Sequence, residues 1–364
     1  MNKENELGST NEPQFFGIPD KYFCRNTYIK RDLTIFVQNI KRIKYMELEK
    51  TLSGNIIKVI GIGGAGLNAV NNMFEQGIYG VDYAVCHSDP CRFYDINVPT
   101  KVLLEPYAPL LYPDIDFSET AKKLFDDGVK MVFIVAGMGG HIGSVASPLL
   151  AKSAKDKGVL TIGVVTTPFL FENTLTKGRA LDAIGEMYKY VDALIVVNNE
   201  RMKELDPDYR LEDSFVMTDK VLYMIVKSVA EIITVKGTIN RDFKDMVFTL
   251  KDSGVTLFSY GFGSGENRLN DAVEEAFNSP LLNNNDIFKA KNVLFHISNN
   301  RNALLKIDEL TKVIEGFIES FDNHVKMIWG FGLDESLGDN HDVKFTVIAS
   351  GFGLDAIPTI QGML

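Results

Sequence analysis

The strongest constraint on what this chain folds into is a set of apolar runs that end in glycine or small polar residues and alternate with helical patterns. IIKVIGIGG from Ile56, MVFIVAGMGG from Met131, VLTIGVVTTPF from Val159 and ALIVVNN from Ala193 are almost continuously apolar rather than alternating. Runs of that kind are buried on both faces, as in a parallel sheet covered by helices on each side. VDYAVCHSD, from Val81, reads as a further strand of the same sheet. Between the strands, Leu67, Val70, Met73 and Phe74 share one helical face that stops at Gly77. Ser147 and Pro148 read as N-cap and first residue of a helix over SPLLAKSAKDKG, and a charged helix is expected around Leu181–Tyr190.

A long helix should follow. Asp213 is its expected cap, Val221, Leu222, Ile225, Val226, Val229, Ile232 and Ile233 recur at helical spacing, and Gly237 is its expected end. A shorter α/β region comes next, with strands near Val255–Tyr260, Asn292–Ser298, His324–Phe331 and Lys344–Ala349. The chain has 364 residues, and roughly 150 per domain gives two domains with room for a small extra piece. We expect an extension over 1–50, a nucleotide-binding domain with the long helix over 51–237, and a smaller α/β domain over 238–364.

Hydrophobic content of 45% and charged content of 24% fit a soluble globular chain. No apolar stretch is long enough to span a bilayer, and the polar start MNKENELGSTNEPQ lacks the core of a secretory signal. Three cysteines make no disulfide framework, so a cytoplasmic location is expected. A net charge of −10 argues against a nucleic-acid partner. Residues 1–14 read as disordered. Between Lys21 and Lys44 there are seven basic residues and one acid, interleaved with Phe23, Tyr28, Phe36 and Ile40. That arm suits a peripheral contact with an anionic membrane, a grip on a partner, or simple packing on the domain behind it.

The chemistry concentrates in two glycine loops. Gly61-Ile62-Gly63-Gly64-Ala65-Gly66 joins a strand to a helix, and taken alone it satisfies the dinucleotide fingerprint, with Asp89 available as a ribose-binding acid. A dinucleotide-dependent enzyme is therefore one reading; a tight structural turn is another. The second loop, Ala136-Gly137-Met138-Gly139-Gly140-His141-Ile142-Gly143-Ser144, sits in the same setting on another strand. Two such loops on neighbouring parallel strands would converge on one polyphosphate, held by backbone amides and helix ends. No P-loop lysine motif is present. The histidines and cysteines show no zinc spacing.

These residues carry a resemblance. IKVIGIGGAGLNAV, MVFIVAGMGG, VVTTPFLFE, VDALIVVNNERM, INRDFKDM, SGEN and NSPLL occur in the order, and near the spacing, of the tubulin/FtsZ superfamily, over about Ile56 to Gly353. The chain resembles FtsZ within it. The resemblance implies a tubulin-like GTP-binding domain, a central helix, a smaller C-terminal domain, and head-to-tail filaments in cell division or a related cytoskeletal role. It implies that Gly63, Gly64, Ala65, Gly66, Leu67 and Asn68 hold phosphates of GTP or GDP. His87, Ser88 and Asp89 match an Asn-Thr-Asp element, and Gly137, Met138, Gly139 and Gly140 match the start of the signature phosphate loop. Glu172 matches a ribose-contacting acid, Asn199 a guanine-contacting amide and Phe215 the aromatic stacked on the base. Asn240, Asp242 and Asp245 match a loop that enters the neighbouring subunit's site, where two carboxylates polarise a water against the terminal phosphate.

The departures are specific. The signature loop of the family continues Gly-Thr-Gly-Thr-Gly, and here reads His141-Ile142-Gly143-Ser144-Val145. The loop that senses the terminal phosphate is not recognisable between Asp89 and Met131. The arginine after the ribose-site acid aligns with Thr176, with Arg179 one helical turn on. Lys220 stands at the base-reading acid, with Asp219 beside it as the replacement. An ammonium cannot accept the guanine hydrogens that a carboxylate accepts. Two readings follow from the resemblance: a self-assembling GTPase hydrolysing GTP at subunit interfaces, or a non-enzymatic partner that co-assembles with an FtsZ subunit whose own pocket is intact. Magnesium is expected only with a bound triphosphate.

Overall fold

The computed structural model describes residues 15–16, 55–104, 118–125, 128–204, 210–235, 243–282, 287–321, 324–334, 337 and 341–357. The basic arm at 21–44, Gly237, Asn240 and Asp242 lie outside the described residues.

The apolar runs are strands. β1 (Phe15–Phe16), β2 (Ile57–Ile62), β3 (Val81–His87), β4 (Thr100–Leu103), β5 (Met131–Gly137), β6 (Leu160–Thr167), β7 (Ala193–Asn198) and β8 (Gly254–Gly263) pair in parallel, in the spatial order β1-β4-β3-β2-β5-β6-β7-β8. β11 (Val343–Phe352) then runs antiparallel to both β8 and β9 (Asn292–Asn299), and β10 (Lys326–Leu333) closes the far edge parallel to β9.

Helices cover both faces. On one side lie α1 (Gly63–Gln76), the long α5 (Leu211–Thr234) and α6 (Phe243–Leu250), with Leu67, Val70, Met73, Ile225, Val229 and Met246 buried against the strands. The same core contains Phe258, Leu294 and Ile348, so α5 packs on strands from both halves of the sheet. On the other side lie α2 (Ser118–Phe125), α3 (His141–Asp156) and α4 (Thr174–Tyr190), burying Leu124, Leu150, Ile184 and Met187. α7 (Arg268–Phe277) and α8 (Ile307–Glu319) build a third core with Phe295, Phe317 and Phe345. Each fully buried side chain of this size contributes about 1.5–3 kcal/mol. Buried ion pairs also tie α5 to the far sheet: Lys227 meets Asp334 at 3.5 Å and Lys344 meets Asp334 at 2.7 Å.

Two helix starts differ from expectation. α3 begins at His141, capped by Gly140, and Pro148 lies inside it. Ser147 is not a cap: its hydroxyl donates at 2.6 Å to the carbonyl of Gly143, one turn back. The missing Pro148 N–H costs one bond, yet burial of Ala146, Leu150, Ala151 and Ala154 on one stripe holds the helix together across it. α5 begins at Leu211 with Arg210 as its N-cap, which places Asp213 inside the first turn.

Candidate functional site

β2 and β5 are neighbours in exact side-by-side pairing, Ile57 with Met131 through Ile62 with Ala136, so the loops that follow them emerge together. α1 starts inside the first glycine loop, at Gly63, and no side chain caps it. α3 starts inside the second, at His141, and again no side chain caps it. Neither helix has an acid in its first turn. The two starts touch: a Cβ added at Gly63, whose φ is +72°, would lie 2.8 Å from the backbone nitrogen of Gly143. Two adjoining helix N-termini without side-chain caps, with Gly64, Ala65 and Gly140 exposed beside them, make a positive, donor-rich place suited to an anion.

Beside the first loop a cavity of about 420 Å³ is lined by Gly64, Leu67 and Asn68, by Asn71, Asn72 and Glu75 further along α1, by Arg92, Asp95 and Ile96, and by Asp219 of α5. Ala65 is exposed, while Gly66 is buried against the carbonyl of Val135. Asp219 lines this space together with two other acids, Glu75 and Asp95, whereas Lys220 is exposed and not part of its lining. Burial lifts the Asp219 carboxyl to about 7. Asn71, Asn72 and Glu75 had not been singled out. Their signal was available, because with Asn68 they recur at helical spacing opposite the apolar face of α1.

The base-reading candidates cluster one step away. Asn199 is buried and accepts at 3.3 Å from the Thr218 hydroxyl, next to Asp219. Phe215 is 59% exposed on α5 and meets Phe169 edge-on at 5.9 Å. Glu172 accepts at 2.9 Å from the Phe169 amide, so Glu172, Phe169 and Phe215 form one connected group. His87 and Asp89 close a local turn instead. The Asp89 N–H donates to His87 Nδ1 at 2.9 Å, and Asp89 accepts from the Cys91 N–H at 2.9 Å. Burial holds the His87 imidazole below its ordinary pKa.

The second loop is bound up with its own surroundings. Gly139 donates its N–H to the buried Ser144 hydroxyl at 2.8 Å, and its carbonyl accepts from Arg179 at 2.9 Å. Met138 is buried and donates its N–H to the Thr166 carbonyl, and Ile142 packs on the second core. His141 Nε2 is buried and has no partner among the described residues. Around Gly140 the space is open.

Asp245 is half-buried in the first turn of α6. It lies beyond the C-terminal end of α5, whose 24 residues span about 36 Å, whereas Asp219 is near the N-terminal end. The glycine loops and Asp245 of one chain are therefore not brought together. No group of three His, Cys, Asp or Glu among the described residues has the arrangement of a metal site, and no described helix is long and apolar enough to cross a membrane.

Comparison with known proteins agrees with this geometry. Residues 117–206 match the GTPase domain of the Tubulin/FtsZ family, and residues 254–353 match the C-terminal domain of the FtsZ family. Over 312 residues the chain is 41% identical to the cell division protein FtsZ of Porphyromonas gingivalis, covering 82% of this chain and 68% of the relative. It is 37% identical over 317 residues to the cell division protein FtsZ of Buchnera aphidicola, covering 84% and 81%. An empty FtsZ dimer from M. jannaschii matches with a TM-score of 0.73 and 29% identity, covering 86% of this chain and 92% of that one. Strand order, central helix, paired glycine loops and these relatives converge: the chain belongs to the FtsZ family of cell division proteins, with a tubulin-like GTPase domain.

Proposed function

We propose that this chain binds GTP at the two glycine loops, assembles head-to-tail, and hydrolyses GTP where one subunit's Asp242 and Asp245 meet the next subunit's nucleotide. The observation that carries the reading is the close approach of the two uncapped helix starts, where a Cβ on Gly63 would run into the Gly143 backbone in the first turn of α3. Their free amides would take the phosphates, and Asp219 would accept from the guanine N1 and amino hydrogens. Asn199 and Phe215, held beside Asp219, would complete the base end. The span of α5 between Asp219 and Asp245 supports donation of the acids in trans rather than within one subunit. Magnesium would be held by the phosphates and water, as is usual for that ion.

The decisive experiment is calorimetry of the full chain with GTP, ATP as control and magnesium present, followed by turnover and pelleting. Guanine-selective binding with turnover that depends on protein concentration is expected. No binding at millimolar GTP would sink the reading. The Asp219 carboxyl must be ionised to accept from guanine, and its raised pKa is about 7. Protonation therefore competes below that value, so GTP affinity should fall about tenfold from pH 8 to pH 6. Asp219→Asn should flatten this profile; a pH dependence that survives it would remove Asp219 from the base site.

The self-bracing of the second loop favours one alternative, a partner with little turnover of its own whose Asp242 and Asp245 complete the site of another FtsZ subunit. Mixing the chain, or its Asp245→Ala variant, with an active FtsZ separates the two readings. Stimulation of turnover by the parent chain but not by the variant supports the partner role. The basic arm at 21–44 is a further proposal, as a peripheral membrane contact. Equal flotation with anionic liposomes after removal of residues 1–50 would dismiss it.

A further inference from the structure

We infer that Arg179 is a positioning residue for the polyphosphate: it fixes the second glycine loop from below and supplies that loop with a positive charge. The inference rests on the nucleotide reading above and goes beyond it, since it gives Arg179 a role through the Gly139 peptide.

Gly139 carries the argument. Its φ of +99° is one that other residues adopt only with strain, and its underside is closed by α4. A Cβ there would come within 2.7 Å of the Thr176 methyl and 3.0 Å of the Thr176 carbonyl oxygen. Thr176 cannot move aside easily, because its own N–H is tied at 2.8 Å to the Asn173 side chain that caps α4. Arg179, three residues on, reaches up the same face and donates through Nη1 to the Gly139 carbonyl at 2.9 Å. Ser144 holds the Gly139 N–H from the other side. Gly139 is thus clamped between α3 and α4, and its peptide is oriented before any ligand arrives.

The charge is the second observation. Arg179 is half-buried, its recorded hydrogen bond goes to a neutral carbonyl, and no described acid forms an ion pair with it. A guanidinium has five N–H donors, so most of its capacity is unused. A partly exposed cation without a described counter-ion keeps a long-range pull on an anion at the loop above it, weakened by solvent and salt. The loop above is the one in which His141, Ile142 and Val145 replace glycines and a threonine of the family pattern. Arg179 would thereby offset, by long-range attraction, the hydroxyl and backbone contacts that those substitutions remove.

The test is calorimetry with GTP and GDP on the full chain and on Arg179→Met, Arg179→Gln and Arg179→Lys. It is run at low and high salt, with amide hydrogen exchange at residues 138–141 in the nucleotide-free protein. Arg179→Met should lose about tenfold in affinity for both nucleotides at low salt, and the gap to the parent should narrow at about 1 M salt, where screening reaches about 3 Å. Exchange at the loop should speed up. Lys keeps the charge and most of the reach, so it should restore most of the affinity and much of the slow exchange, while Gln, neutral and two bonds shorter, should restore neither. Parent-like binding by the Met variant would overturn the inference, as would full rescue by Gln, which would leave Arg179 a neutral brace. If Met fails to fold, Gln and Lys decide alone. Failure of the parent chain to bind GTP is a different result, and it removes the nucleotide reading itself.

Discussion

The two glycine loops look alike in sequence and behave differently in three dimensions. In the first, the helix starts directly at Gly63, and Gly64 and Ala65 face solvent with no side chain competing for the amides. In the second, Gly139 is held at both its N–H and its carbonyl, and His141 Nε2 is buried. One loop is open to a ligand; the other has internal partners that a ligand must accept or displace. The difference teaches that a glycine pattern states where backbone must come close, but not what it comes close to. At Gly66 and Gly143 the neighbour is the protein itself, with carbonyl oxygens of Val135 and Gly137 placed 2.4 and 2.6 Å from a would-be Cβ.

The largest effects should therefore come from those two. Gly66→Ala and Gly143→Ala each drive a methyl into backbone that cannot rotate away, at a cost of about 1–3 kcal/mol. Both should lower the melting temperature clearly, whether or not nucleotide is present. An unchanged melting temperature for either variant would mean that the backbone gives way to the methyl and that close packing is not what requires glycine there.

Ser144→Ala is the intermediate case. It removes the acceptor of the buried Gly139 N–H, which costs about 1–2 kcal/mol in the nucleotide-free protein. If the second loop also faces phosphate, the freed N–H gains a new acceptor when GTP binds. The variant should then melt earlier than the parent without nucleotide and be raised further by saturating GTP. Equal GTP-induced shifts for parent and variant would show that this amide never meets the ligand, and the loop would count as scaffold.

Much of this molecule was readable beforehand, and the exceptions share a cause. β2, β5, β6 and β7 are buried on both faces, so their apolar runs were unmistakable. β4 is only four residues long and α2 only eight, too short for a periodicity to stand out. The start of α3 was misplaced because Ser-Pro imitates a helix entry, whereas tertiary burial carries the helix through Pro148. Of the residues that line the cavity, Gly64, Asn68 and Asp219 belong to motifs legible in the sequence, whereas Asn71, Asn72 and Glu75 belong to none. Their helical spacing marks the polar face of α1, but a polar face facing solvent has the same spacing, and the fold is what makes it line a cavity. The role of Ser144 as an internal acceptor needed coordinates, since a hydroxyl in a phosphate loop reads the same way in either use.

The smallest change offers the sharpest contrast. Nothing lies within 4 Å of a Cβ placed on Gly64, and its backbone is already helical. Gly64→Ala should therefore stabilise the chain slightly, by up to about 1 kcal/mol, since alanine gives up less backbone freedom on entering a helix. The same methyl would stand where a phosphate must approach the first-turn amides. Stability and affinity should move in opposite directions: a marginally higher melting temperature without nucleotide, and weaker GTP binding by calorimetry. If both rise together, the space above Gly64 is not where the polyphosphate sits, and the openness of the first loop would have to serve some other contact.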